Sequence, residues 1–386
     1  PIIIIGAGMV GLTLAQALHK NHIPFEIYER DAAAADAPAK GRGWALTVHW
    51  ALSALQECLP PTLFAQLPSI QVDPSLSDTR RFPFLDLATG RPKFIIPPTP
   101  RLRVNRRRLG DLLATDLPIH HHKTLSAVGD HPDRQTVTAH FTDGTHRTGS
   151  LLIGTDGRSS KTRRLLLGEE TGRLNRLPVR SMGATITMTP EAFAPLRAID
   201  PLLFQGCHPD TGVYLWFSLV SSPRLAPAHQ DTVERAGCYE GQLIQSWRYS
   251  SPADEVPPTH AARLARFKEN ARGFEPRLRE AILNLPEGTR VLPIVLGDWV
   301  PVEWESPGGR VTLAGDAAHA MTSYRGEAFN HGVADAAVLA REIASVWGRV
   351  QEGDADGAHD LRALGPDSPI VSKRAQVVQE AREGGA

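Results

Sequence analysis

Residues 2–30 read IIIIGAGMVGLTLAQALHKNHIPFEIYER. Four isoleucines make a short strand with apolar side chains on both faces. Gly6, Gly8 and Gly11 follow in G-x-G-x-x-G spacing, then a helical stretch, then a second strand closing on Glu29. Gly6 permits the turn, Gly8 lets the backbone approach a pyrophosphate, and Gly11 lets the helix pack against the strand. A helix beginning near Met9 presents free N–H groups and a positive dipole end to phosphates. Glu29 stands at the spacing of an acid that accepts hydrogen bonds from a ribose. Glycine spacing alone is weak; with the strand before it, the helix after it and the acid behind it, the stretch reads as a dinucleotide-binding βαβ unit.

The remaining chain is long enough for a second domain: 386 residues in all, 41% of them hydrophobic. Lys+Arg and Asp+Glu both total 42, so no net charge draws the chain to nucleic acid or an anionic membrane. Arg106, Arg107 and Arg108 splay apart on a helix, one inward and two solvated, which is no nucleic-acid patch. Cys58, Cys207 and Cys238 are odd in number and far apart, which argues for a reducing, cytoplasmic compartment. No C-x-x-C pair occurs, and His120, His121 and His122 alternate faces in a strand, so no metal site is expected. No apolar run is long enough to span a bilayer. Composition says nothing about oligomeric state.

Further along, residues 41–59 read as a glycine-rich approach to a helix carrying Leu52, Leu55 and Leu59, and 103–117 as an amphipathic helix. Thr136–Phe141, the turn Asp143-Gly144 and residues 146–155 read as a hairpin. Residues 180–187, 212–220 and 241–247 are short β-prone segments separated by proline-rich connections, the pattern of an antiparallel sheet. Helical patterning returns at 261–283. Residues 311–315 form a short buried strand, followed by a helix over about 327–346 and another over 370–381. Strand–turn–helix order thus resumes some three hundred residues after it began, so one domain is inserted in another. The expected class is α/β. A Rossmann-type nucleotide-binding domain takes residues 1–75, 98–172 and 290–346. An inserted antiparallel-sheet substrate domain takes 76–97 and 173–289, and a C-terminal tail with a helix takes 347–386.

Three motifs carry chemistry in this order: Gly6-x-Gly8-x-x-Gly11 with Glu29; Asp156-Gly157 in GTDGRSSKTR, with Ser160 and Arg163; and Gly315-Asp316 in AGDAAHAMTSYRGEAFNHGVADA. The set resembles the single-component FAD monooxygenases, the p-hydroxybenzoate and salicylate hydroxylase class, most closely its fungal secondary-metabolite branch. The resemblance runs from Ile2 to about Val346. It implies FAD as cofactor, NADPH or NADH as transient reductant, O2, and a small organic substrate of aromatic or polyketide type. One oxygen atom would be inserted through a flavin C4a-hydroperoxide. Gly6, Gly8 and Gly11 would face the FAD pyrophosphate, and Glu29, with Arg30 beside it, the adenosine ribose. Arg42 and Gly43 would lie along the flavin and Arg106 would contact FAD. Asp156 would support the flavin fold and nicotinamide passage. Gly315 and Asp316 would bind the ribityl or pyrophosphate region, and Gly326, Ala328, Phe329 and Asn330 would flank the flavin pyrimidine.

Three positions depart from the pattern. Ser323 and Ala320 stand where prolines are usual, and Ala328 where glycine is usual; its methyl group would exclude a positive φ or crowd the ring. The absence of a second glycine fingerprint suits a class in which the nicotinamide docks transiently. A Baeyer–Villiger-type or rearranging oxygenase and a catalytically silent flavin-binding protein fit the same motifs.

Tyr214, Trp216 and Ser218 fall on one face of a strand, and Val213, Leu215 and Phe217 on the other. One face is expected to cover the flavin and line the substrate pocket, with Gln245 and Trp247 joining from a neighbouring strand. Core packing is the competing reading for each aromatic. The sequence names no catalytic base.

Overall fold

The four isoleucines form strand β1, Ile2–Ile5, every residue buried. In the computed structural model, which describes residues 1–33, 44–76, 81–97, 99–131, 133, 135–223, 237–304 and 309–351, this strand is the centre of a parallel sheet. Arg42, Gly43 and the expected helix at 370–381 lie outside the described residues. Strand β1 pairs with β2 (Phe25–Tyr28) on one side and β11 (Leu151–Gly154) on the other. Beyond β11 lies β19 (Val311–Leu313), and beyond β2 lies the short edge strand β7 (Ile119–His120).

Helix α1 (Met9–Lys20) makes the first crossover, and the long helix α10 (Ala328–Gln351) crosses it. Leu14 and Leu18 of α1 and Val333, Ala336 and Ala340 of α10 belong to one buried apolar cluster. Helix α10 runs through 347–351, so the expected tail begins inside a helix.

Strands β8 (Leu125–His131), β9 (Thr136–Phe141) and β10 (His146–Gly149) form an antiparallel sheet. The expected partner strand at 146–155 is therefore two strands. Leu151, Leu152 and Ile153 are buried on both faces, a parallel-sheet pattern, and the chain turns at Ser150, whose N–H donates to Pro1 O at 3.0 Å.

The second domain is a seven-stranded sheet. Its order is β17 (Val291–Ile294), β13 (Val179–Met188), β16 (Tyr239–Arg248), β15 (Tyr214–Ser221), β14 (Leu203–Cys207), β4 (Phe82–Asp86) and β5 (Pro92–Ile96). All neighbours are antiparallel except β14 and β4, which are parallel. Because β17 still belongs to this sheet, the chain returns after Ile294 rather than at 290. Helices α6 (Pro190–Arg197), α7 (His260–Asn270) and α8 (Pro276–Leu283) cover one face. The helical stretch expected at 261–283 divides because Pro276 opens a new helix, capped by the Glu275 carboxylate.

Two small ladders join the layers: β3 (Ala45–Val48) with β6 (Leu102–Asn105), and β12 (Asn175–Arg176) with β18 (Gly297–Asp298). The helices α2 (Leu52–Cys58), α3 (Pro61–Phe64), α4 (Arg106–Leu113), α5 (Lys161–Leu167) and α9 (Asp316–His319) complete the described α-helices. No helix among the described residues is long and apolar enough to cross a membrane.

The stretch expected as one helix at 103–117 begins as strand β6, and three of its polar residues fasten the two domains. The buried Arg103 guanidinium donates to Thr47 Oγ1, to Ala45 O and to Ser218 Oγ of the second sheet. Burial lowers its pKa to about 9. Arg108 donates to Ser221 Oγ at 3.2 Å. Asn105 accepts from the N–H groups of Arg107 and Arg108, capping α4, and donates to Val220 O at 3.3 Å. Asn105→Ala removes the cap and leaves a buried carbonyl without that donor. It is expected to cost about 2 kcal/mol, read as a lowered midpoint in chemical denaturation; an unchanged midpoint would mean that Asn105 carries no such link.

Candidate functional site

Parallel pairing puts the carboxyl ends of β19, β11, β1 and β2 side by side, and each end runs into one of the sequence motifs. Asp316 follows β19, Asp156 follows β11, the glycine loop follows β1, and Glu29 follows β2. Three inter-strand spacings of about 4.8 Å carry this row over about 14 Å. Ligands of open parallel sheets bind at such an edge.

The three glycines of the first loop are not equivalent. Gly6 has φ +109°, and a Cβ there would lie 2.7 Å from Thr155 O. A Cβ on Gly11 would lie 2.0 Å from Gly6 O. Both are demanded by the protein itself. At Gly8 the nearest atom to an added Cβ is Thr155 O at 3.9 Å. The protein leaves room there, as a cradle for a bound group would. Gly8 is also the N-cap of α1, which has no side-chain cap and no acid in its first turn. Its N–H groups are thus presented to the edge, where they suit a phosphate. Glu29 reaches back to this loop, accepting from Ala7 N at 2.8 Å and from Asp31 N at 2.9 Å. A carboxylate keeps acceptor capacity after two such bonds. Arg30 is exposed beside it.

The second and third motifs are bound together. The Asp156 carboxylate accepts from Ser160 Oγ, Lys161 N (2.7 Å), Thr162 N (2.9 Å) and Thr162 Oγ1, holding the N-terminus of α5. Its place is therefore in the scaffold beside the cleft. Arg163, the largest of the fully buried side chains, donates to Gly172 O, Arg158 O, Asp316 O and Ala317 O, and lies over the Trp299 ring at 4.8 Å. Gly315 N donates to Asp335 Oδ2 at 2.7 Å, and the same oxygen lies 2.6 Å from His319 Nε2. His319 is thus a buried hydrogen-bonding partner of Asp335.

Burial pushes the Asp316 carboxyl above the ordinary carboxylate range. Its interactions with His319 and with the guanidinium charges of Arg158, Arg163 and Arg106 oppose that rise. Arg106 is exposed on α4 and is among the cations acting on Asp316, whereas its neighbour Arg108 turns inward.

Beyond Asp316 the chain turns at Gly326, φ +66°, and enters α10 at Ala328. Ala328 is a helical residue and not among those with positive φ. The left-handed backbone of this turn lies at Gly326, so the methyl group of Ala328 meets no positive φ. The first helical bond runs from His331 N to Glu327 O, leaving the N–H groups of Ala328, Phe329 and Asn330 at the free end. Phe329 sends its side chain into the core. The Asn330 side chain donates to Thr47 O at 2.9 Å and accepts from His49 N at 3.0 Å, fixing β3 against this helix end.

The second sheet faces this edge through Tyr214 and its neighbours. Tyr324, two residues before Gly326, donates to Ser246 Oγ at 2.8 Å and meets the Tyr214 ring edge-on at 4.9 Å. Tyr214 in turn donates to Gln205 Oε1 at 2.6 Å. Register places Trp216, Ile244, Ser246 and Gln205 on this same face, and Trp216 meets Phe82 edge-on. Burial raises the pKa of both tyrosines, so each is a neutral donor. Gln245 and Trp247 do not join them. The alternation of β16 turns both toward α7, where Gln245 bonds Phe267 O and Asn270 Nδ2. Trp247 donates to Asp254 O and lines a separate groove of about 600 Å³ with His208 and Arg266. Among the described residues no cluster of His, Cys, Asp and Glu is arranged to hold a metal ion.

Gln205, Tyr324, Arg103 and Asp335 escaped the sequence reading. Tyr324 and Asp335 carried a signal, both lying inside the third motif.

Comparison with known proteins bears on the same regions. A family profile described as an FAD binding domain matches residues 300–362. The chain is 65% identical to the FAD-dependent monooxygenase dbaB of Emericella nidulans, over 100% of this chain and 96% of that protein. Among solved structures it is similar to a putative FAD containing monooxygenase of Photorhabdus luminescens, with TM-score 0.71, 23% identity and 98% of each chain covered. It is also similar to Klebsiella pneumoniae HpxO complexed with FAD and uric acid, with TM-score 0.68, 19% identity, 99% of this chain and 90% of that chain covered.

The glycine loop offers a paired test. Gly11→Ala is expected to destabilise the protein by about 3 kcal/mol or more through overpacking. Gly8→Ala is expected to leave the thermal midpoint of the ligand-free protein within about 1 °C and to weaken FAD binding at least tenfold. Equal effects of the two on stability would contradict the distinction.

Proposed function

This chain belongs to the FAD-dependent monooxygenases, and from that premise we propose that it inserts one atom of O2 into an organic substrate held between the flavin edge and the second sheet. NADPH or NADH would reduce the flavin transiently, and the second oxygen atom would leave as water. The observation that carries this reading is the juxtaposition across Tyr324. On one side lies the row of strand ends with the open cradle at Gly8; on the other lies the uncharged, aromatic face of Tyr214, Trp216 and Gln205. The relative bound to FAD with uric acid supports a small ring substrate on this fold.

The residues present fit FAD. The α1 N-terminus and Gly8 would take the pyrophosphate, Glu29 the ribose, and Asp316 a hydroxyl of the ribityl chain. When bound, FAD supplies hydride acceptance from the nicotinamide and activation of oxygen. The N–H groups at the start of α10, with the positive end of a 24-residue helix behind them, would favour negative charge on the flavin pyrimidine. Trp216, Ile244 and the Tyr214–Tyr324 pair would exclude water from the reacting atoms. The two phenols, kept neutral by burial, would orient a substrate oxygen as donors rather than remove a proton as bases.

Purified protein is expected to carry a flavin absorbance near one FAD per chain and to oxidise NADPH or NADH with oxygen uptake when a phenolic or polyketide substrate is supplied. The product should be heavier by one oxygen atom derived from O2. Protein that binds no FAD, or that oxidises nicotinamide only to hydrogen peroxide with every substrate, would contradict the proposal.

Asp316 gives a second test. Its folded-state pKa is raised, so its contribution favours folding below the unfolded-state pKa and declines as pH rises through the folded-state value. Asp316→Asn is therefore expected to keep or raise the thermal midpoint of the FAD-free protein at pH 8 while weakening FAD binding at least tenfold. A lowered midpoint with unchanged affinity would reverse the assignment.

A further inference from the structure

Gln205 is the one amide on the cleft-facing surface of β14, and its surroundings define what it can do. It is 8% exposed and pairs laterally with Trp216 on β15 and Phe84 on β4. Tyr214 donates to its Oε1, which fixes which end of the amide is the acceptor. The side-chain NH2 then has no partner among the described residues. The nearest side chains on this face, those of Trp216, Phe84, Tyr214, Ile244 and Ser246, carry no charge. Farther along, Phe84 stacks on Phe94 at 4.8 Å, and Phe94 is 53% exposed, so the aromatic wall continues outward past the amide.

Resting on the reading of this face as the substrate wall, we infer that the Gln205 NH2 is the substrate-orienting donor and that it selects a neutral ring bearing a carbonyl or hydroxyl over a ring acid. A neutral oxygen gains the waiting hydrogen bond. A carboxylate would be buried against uncharged groups, and Lys93, the cation that reaches the Cys207 end of this face, is already paired with Asp86 at 3.8 Å; that is the larger penalty. Arg103, the cation adjoining this face at Ser218, already donates to Thr47, Ala45 and Ser218. Tyr214 is the positioning residue, because its hydroxyl holds the amide in the donating orientation. The extended aromatic wall favours a substrate larger than one ring, with the selected oxygen opposite Gln205.

The test uses a matched pair of probes, 2,4-dihydroxybenzaldehyde and 2,4-dihydroxybenzoate, titrated into FAD-loaded protein and read by the change in flavin absorbance. The aldehyde is expected to bind at least tenfold tighter than the benzoate. Gln205→Leu is expected to weaken the aldehyde about five- to tenfold and leave the benzoate and the FAD content unchanged. Gln205→Glu, nearly isosteric and still able to accept from Tyr214, is expected to weaken the aldehyde at least as much, which covers the case in which the leucine variant fails to fold. Tyr214→Phe should give a smaller loss. Equal binding of the two probes, binding of neither, or glutamine variants that bind the aldehyde as the parent does would overturn the inference. FAD content is measured first, so failure of the underlying flavin reading is seen separately, as colourless protein.

Discussion

Val10 occupies the space that a side chain at Gly315 or Gly332 would need. A Cβ on Gly315 would come within 2.7 Å of its Cγ2, and one on Gly332 within 2.3 Å. This close approach joins the first turn of α1, the turn after β19 and the second turn of α10. It brings segments more than three hundred residues apart in sequence to one strand edge. The positions of Asp316 and of the free N–H groups of α10 relative to the glycine loop both follow from it. Arg163 extends the same constraint sideways, using its buried guanidinium to hold the backbone of the third motif to the segment after β11. Its pKa, lowered to about 10 by burial, still leaves it charged at neutral pH.

Much of this was legible in the residues because the decisive features are local. The first βαβ unit, the late return of strand–turn–helix order and the alternation of Tyr214, Trp216 and Ser218 against Leu215 and Phe217 each need only a short window. The homologues bear out FAD and the monooxygenase class that the three motifs imply. What escaped is non-local. The grouping of Gln245 and Trp247 with Tyr214 failed because strand register decides facing. Leu215 pairs with Gln245, and both turn to the helix-covered side. The hairpin expected to end at Thr155 missed the switch at Ser150, since apolar content does not reveal whether the neighbouring strand is parallel. Arg103 and Asn105 gave no signal, because their partners on β15 lie 115 residues away.

The site also shows where local rules yield to function. A carboxylate is half-buried at Asp316, space for a Cβ is left empty in the glycine loop at Gly8, and a helix N-terminus is left without a cap at α1. Under the proposed function, a phosphate- and hydroxyl-bearing ligand would satisfy all three. Ala328 marks the contrary case. Its methyl group is accommodated because Ala328 takes an ordinary helical φ, while the positive φ of this turn lies at Gly326.

The most direct measurement of the account is a crystal structure of the protein with FAD bound. The account predicts the pyrophosphate at Gly8 and the α1 N-terminus, and the flavin pyrimidine at the start of α10. The open face of the ring should look onto Tyr214, Trp216 and Gln205. A flavin seated instead against Gln245 and Trp247 on the helix-covered side, or an FAD that touches neither Gly8 nor Asp316, would contradict it.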